Sequence, residues 1–393
     1  MLSNHQVLSS NKRGSGLLRI SKLGWIASVS MLVGLVGCAP PATQNDTAAS
    51  GDNTTTAVNL PQVVATTSVL CDLTQQIAQD TVALTCLMEP GQDPHTYAAA
   101  PSDRKAIDEA DLVLYDGYGF APQLIAMVEA STNTAPKVAV YEQAVPNPLL
   151  ADPHDHDHGH GHGKEDHDHE AHADHGEENH DHEAHADHGE ENHGHETHAE
   201  GTDKEELVAD PHIWHNALNT SNVTEVIADQ LQQINPDQAD LYGQNAALLT
   251  TQFAELHTWI EAQVTTIPAS NRKLVTTHEA FNYFADAYGL ELEAALSGIN
   301  TETSPSASRV ADLVDDVKTL GVPAIFAETT SNTQLIETLA KNANVKVAPN
   351  PLFVEGPGGP GTRAETMQAM LVSNTCTVVN ALGGTCVEAD APL

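Results

Sequence analysis

Sixteen of the chain's 22 histidines fall between residues 154 and 198, in a stretch built from little except His, Asp, Glu, Gly and Ala. They are His154, His156, His158, His160, His162, His167, His169, His172, His175, His180, His182, His185, His188, His193, His195 and His198. Neutral imidazole is a borderline-soft nitrogen donor suited to Zn²⁺, Cu²⁺ and Ni²⁺, and the interleaved carboxylates attract any divalent cation. Asp168–His180 (DHEAHADHGEENH) recurs unchanged as Asp181–His193. A repeat with no apolar face cannot stack into a solenoid. It multiplies a weak binding unit, as a metal-collecting arm requires, and residues 152–206 are expected to be a disordered insert.

Four further positions stand where open α/β sheets place ligands, beyond the carboxyl ends of strands or in connecting loops. His95 lies in EPGQDPHTY after a β-rich run at Thr81–Met88, and His212 lies in DPHIW. His278 follows the run Lys273–Thr277, and Glu355 sits in LFVEGPG.

The elements that position them read as strand and helix in alternation. Val63–Ser68, Thr81–Met88, Leu112–Tyr115 and Lys137–Tyr141 are strand-like, and Cys71–Gln79, Ser102–Ala110 and Phe120–Ala130 are helical. Short apolar strands between helices indicate parallel sheets covered on both faces. Thr220–Ile234 then reads as a helix. From Gln238 to about Thr266, apolar residues at three- and four-residue spacings give one amphipathic helix, roughly 40 Å long at 1.5 Å per residue. Alternation resumes with strands at Lys273–Thr277, Ala324–Ala327 and Val345–Val347. Its helices are Glu279–Tyr288, one opened by Ser304-Pro305 and running to Leu320, Asn332–Asn342, and a last one at Arg363–Leu382. The expected fold class is α/β, with two lobes, each a parallel β-sheet flanked by helices, linked by one long rigid α-helix. The lobes are placed at 61–219 and 269–393, with the linking helix inside a helical region at 220–268.

Residues 1–37 carry Lys12, Arg13, Arg19 and Lys22 before an apolar run from Leu23 to Gly37, and Cys38 follows. The run is shorter than the ~20 residues a spanning helix needs, so it reads as the core of a signal peptide. The segment resembles a bacterial lipoprotein signal. The resemblance implies cleavage before Cys38, a lipid on its sulfur, and a place at the outer face of the cytoplasmic membrane or in the periplasm. Residues 38–60 have no apolar period and read as a flexible tether. In an exported chain Cys71, Cys86, Cys376 and Cys386 form an even set. Nearness in sequence favours Cys376 with Cys386 and Cys71 with Cys86, although three pairings are open. Against 54 acidic residues stand 16 basic ones, a formal net charge of −38, which excludes nucleic acid as a natural partner.

Five ordered segments carry a more specific resemblance: GQDPHTYAAAPSD at 91–103, DPHIW at 210–214, HEAFNYFADAYGL at 278–290, FAE at 326–328 and PLFVEGPG at 351–358. The chain resembles the substrate-binding lipoproteins of bacterial ABC importers for zinc and manganese. The resemblance implies a monomeric, non-enzymatic receptor that hands its ion to a membrane permease subunit. The ligands it implies are His95, His212, His278 and Glu355. Manganese binders of that family tend to have a carboxylate where this chain has His278, so the implied cargo is Zn²⁺. The fourth ligand there is most often Asp. The longer Glu355 leaves water as an alternative in that position. His215 and Glu279 are the nearest competing ligands, His257 is expected at the surface, and Glu328 is a candidate to orient an imidazole. The other readings are a manganese or iron receptor of the same fold and a zinc hydrolase, the latter without an HExxH motif or a nucleophile elbow.

Overall fold

The computed structural model describes residues 60–151, 207–302 and 304–393. The signal peptide, Cys38, most of the tether and the histidine tract lie outside the described residues.

β1 (Gln62–Ala65), α1 (Ser68–Ala78), β2 (Ala83–Cys86), α2 (Pro101–Glu109), β3 (Leu112–Tyr115), α3 (Pro122–Glu129) and β4 (Lys137–Ala139) build the first half. The strands pair in parallel in the order β2-β1-β3-β4. α1 covers the sheet because Val69, Leu70, Leu73 and Ile77 recur on one face, all fully buried. The Cys71–Cys86 disulfide ties this helix to β2. α2 and α3 both begin with proline, whose missing N–H costs nothing in a first helical turn. Lys137–Tyr141 is a strand only as far as Ala139. Val140 and Tyr141 instead open a short helix, α4 (Val140–Ala144), which buries both side chains completely.

A two-residue antiparallel pair, β5 (Leu150–Ala151) with β6 (Val208–Ala209), brackets residues 152–206. A 3₁₀ turn at Ile213–His215 leads into α5 (Ala217–Ile234). Asn216 caps α5 by accepting the Leu218 N–H at 2.9 Å. α6 (Ala239–Thr265) is the long helix read from the sequence, and it buries Tyr242, Ala246, Leu249, Phe253, Leu256, Trp259, Ile260 and Val264. It packs on α5, α1, α10 and α7.

The second half repeats the first. β7 (Lys273–His278), α7 (Asn282–Tyr288), β8 (Glu291–Ser297), α8 (Ala307–Leu320), β9 (Ala324–Ile325), α9 (Thr333–Ala343) and β10 (Lys346–Val347) precede α10 (Met367–Ala381). β7 pairs in parallel with β8, and β9 with β10. The Phe326 N–H donates to the Val275 carbonyl at 2.9 Å and joins the two pairs. The resulting order, β8-β7-β9-β10, has the topology of the first sheet. Several boundaries differ from the sequence reading. β8 was not expected, α7 begins three residues later than expected, and α8 is capped by Ser306 instead of Ser304 because its hydroxyl accepts the Arg309 N–H at 3.1 Å. The Cys376–Cys386 disulfide closes the end of α10. All described residues lie in one compact unit, Val58–Leu393.

Candidate metal centre

Two of the candidate residues are delivered by the same local device. In Asp93-Pro-His95 and in Asp210-Pro-His212, the aspartate Oδ1 accepts the backbone N–H of the histidine two residues on, at 3.0 and 2.9 Å. This is an Asx turn, with proline holding the intervening φ. It throws each imidazole inward from a loop. His95 stands edge-on to Phe120, and Phe120 in turn packs against Trp214. His278 is the last residue of β7, paired with Ser297, so it belongs to the strand and does not follow it. Glu355 stands in the irregular segment between β10 and α10. Its neighbour Phe353 is gripped by Asn374 of α10, which accepts the Phe353 N–H at 2.9 Å and donates to its carbonyl at 2.7 Å.

These four side chains converge. One ligand atom from each of His95, His212, His278 and Glu355 lies within 4.8 Å of all the others, and every one of the four residues is buried. His95 Nε2 is 3.4 Å from His212 Nε2, and His278 Nε2 is 3.3 Å from Glu355 Oε1. The edge of a tetrahedron with metal–ligand bonds near 2.05 Å is about 3.3 Å. The His278–Glu355 approach lacks the alignment of a hydrogen bond. His278 Nε2 and both Glu355 oxygens are therefore buried polar atoms without a hydrogen-bond partner. Such atoms carry a desolvation penalty that a bound cation relieves.

Carboxylates behind the cage fix which nitrogen is free. The Nδ1–H of His278 donates to Glu328 Oε2 at 2.7 Å, and that of His212 donates to Asp210 Oδ1 at 2.9 Å. Both rings thus turn Nε2, the nitrogen no carboxylate holds from behind, toward the centre. Glu328 also accepts the backbone N–H groups of Thr277 and His278 and the Ser331 hydroxyl, so its orientation is fixed. Asn282 donates to the other oxygen of Asp210. Burial opposes charge on His278, but Glu328 and Glu355 overcome it and raise its pKa well above the ordinary histidine range. Burial would raise Glu355, yet the three imidazoles, His278 foremost, hold it down at about 2. Burial pushes His95 down to about 4. The cage is therefore built to hold positive charge at its centre.

His215 takes a different role from the one weighed in the sequence. Its Nε2–H donates to the Val354 carbonyl at 3.0 Å, its ring stacks on Phe281, and burial lowers its pKa to about 3. Glu279 is outside the cage, in the turn after β7, where its N–H donates to the Gly298 carbonyl. His257 is partly buried against Tyr288 rather than fully at the surface. Asp210 and Asp93 escaped the sequence reading as supporting residues, although the repeated Asp-Pro-His was the available signal.

Fold and site together define a metal-binding receptor. The family described as "ZnuA: Zinc-uptake complex component A periplasmic" matches residues 63–381. The chain belongs to this family of exported receptors serving ABC-type metal importers. It is 27% identical to the manganese-binding lipoprotein MntA of Halalkalibacterium halodurans, over 90% of this chain and 97% of that protein. It is 26% identical to the zinc-binding protein TroA of Treponema pallidum, over 86% and 93%. A solved structure of that periplasmic zinc-binding protein matches with a TM-score of 0.65 at 25% identity, covering 82% of this chain and 99% of the other. Membership in a family of transport receptors sets aside the hydrolase reading.

Proposed function

We propose that this chain is the zinc receptor of an ABC importer, holding Zn²⁺ through His95, His212, His278 and Glu355 and passing it to a membrane permease. The observation that carries the proposal is the donor set. Three imidazole nitrogens and one carboxylate oxygen converge within 4.8 Å in a buried cage, two of their pairs at 3.3–3.4 Å, a donor set that suits Zn²⁺, whereas Mn²⁺ prefers more oxygen donors. Two lobes, 61–219 and 269–393, close on the ion about the helix within 220–268. The histidine tract raises the local zinc concentration beside the cage, and a lipid on Cys38 tethers the receptor to the membrane.

A manganese receptor is the second reading, because relatives such as MntA are named for manganese. Competitive titration of the chain with Zn²⁺ and Mn²⁺, with and without residues 154–198, separates the two. One tight Zn²⁺ site that survives removal of the tract and is weakened by His278→Ala is the expected result. A preference for Mn²⁺ would overturn the zinc assignment.

A further inference from the structure

Glu355 is the ligand with least of its own to aim it. Neither carboxylate oxygen has a hydrogen-bond partner, whereas His212 and His278 are each fixed at Nδ1. Its direction therefore follows from its main chain, and three consecutive residues of that main chain are held by the first half of the protein. The Trp214 Nε1–H and the His215 Nε2–H both donate to the Val354 carbonyl, at 3.2 and 3.0 Å. The Ser68 hydroxyl donates to the Glu355 carbonyl at 3.3 Å. Gly356, with φ of +123°, lies so close to α1 that a Cβ there would collide with Ser68 Oγ. Trp214 and His215 belong to the turn that directly follows His212.

We infer that His215 is a positioning residue for the metal site, gripping the Val354 carbonyl so that one turn fixes both the imidazole of His212 and the carboxylate of Glu355. The inference rests on reading His95, His212, His278 and Glu355 as the ligand set. His215 is not among the four side chains that converge, its Nε2 is engaged as a donor and its ring is stacked on Phe281. The carbonyl it holds is one peptide unit from the Glu355 Cα, so losing the grip lets that unit rotate and swings the carboxylate.

The test compares His215→Leu, His215→Gln, Glu355→Ala and the double variant His215→Leu/Glu355→Ala in the full chain. Zn²⁺ affinity is measured by competition with a chromophoric chelator, and the Co²⁺ visible spectrum reports the coordination. The histidine tract is present in every variant, so only differences between variants are read. His215→Leu is expected to weaken Zn²⁺ roughly 10- to 100-fold and to give a Co²⁺ spectrum like that of Glu355→Ala. His215→Gln, which keeps a donor where Nε2 stands, recovers most of the loss. The double variant binds no more weakly than Glu355→Ala, because the two changes remove one interaction. Losses that multiply in the double variant, or a His215→Leu protein that binds as the wild type does, overturn the inference while leaving the ligand set intact. A Glu355→Ala protein with wild-type affinity and spectrum removes the ligand set, and the inference with it. If His215→Leu fails to fold, Trp214→Phe deletes the other donor with the ring packing kept, and is read in the same way.

Discussion

Replacing Glu328 with glutamine exchanges one carboxylate oxygen for an amide NH₂ in a position where four hydrogen bonds converge. Oε1 accepts the backbone N–H groups of Thr277 and His278, at 3.1 and 3.3 Å, and Oε2 accepts the His278 Nδ1–H and the Ser331 hydroxyl, at 2.7 and 3.1 Å. All four partners donate, so either orientation of the amide sets NH₂ against donors. Turned to His278, it forces the ring to carry its proton on Nε2, the atom that faces the metal. Turned to the backbone, it leaves two buried N–H groups unpaired. Each conflict costs about 1–3 kcal/mol, and every 1.4 kcal/mol is roughly tenfold in affinity. Glu328→Gln is therefore expected to bind Zn²⁺ about 10- to 100-fold more weakly, in competition titration against a chelator, with the far-ultraviolet circular dichroism of the folded protein preserved. An affinity indistinguishable from the wild type's would refute the argument that this carboxylate sets the tautomer of His278.

Three other outcomes follow from the same geometry. Asp116 is fully buried, its oxygens accept the Thr66 and Thr67 hydroxyls, and burial raises its pKa to about 6. A raised folded-state pKa gives stability that is present below the unfolded value and lost as pH rises through about 6, so wild-type stability should fall between about pH 4 and 7 by about 3 kcal/mol relative to Asp116→Asn. Parallel pH profiles in chemical denaturation would exclude this. Gly356→Ala places a Cβ against Ser68 at a backbone conformation foreign to alanine, and should lower thermal stability by about 1–3 kcal/mol and weaken metal binding with it. Removing Cys71–Cys86, which spans a 15-residue separation, should cost about 3 kcal/mol by the chain-entropy argument, read as a lower denaturation midpoint than that of the wild type.

The long helix was legible because α6 spends its apolar residues on one face for seven turns, and β3 because LVLY is a buried run bounded by polar residues. β8 was illegible for the opposite reason. Glu291 and Glu293 interrupt its apolar residues, a pattern tolerated because the strand pairs only with β7. The end of β4 was misread since Val140 and Tyr141 have strand propensity, yet tertiary burial draws them into a helical turn. At the site, His95, His212, His278 and Glu355 were reached through motifs, whereas the grip of His215 and Trp214 on Val354 joins residues about 140 positions apart. No local pattern encodes such a contact. The two halves also share a design invisible in one dimension. Asp116 after β3 receives hydroxyls from the residues just past β1, as Glu328 after β9 receives N–H groups from the end of β7, but of the two only Glu328 holds a histidine of the cage.

The β5–β6 pair has a consequence for how this protein can vary between lineages. Leu150 faces Ala209 and Ala151 faces Val208, so the residues on either side of 152–206 are held side by side, and β6 runs straight into Asp210 and His212. With the two ends clasped, the number of residues between them weighs little on stability, since doubling a closed loop adds only about 0.6 kcal/mol. Tandem duplication of a 13-residue unit, recorded in residues 168–193, is therefore close to thermodynamically silent. Copies of that unit can be gained or lost without moving the strand that leads into Asp210 and His212.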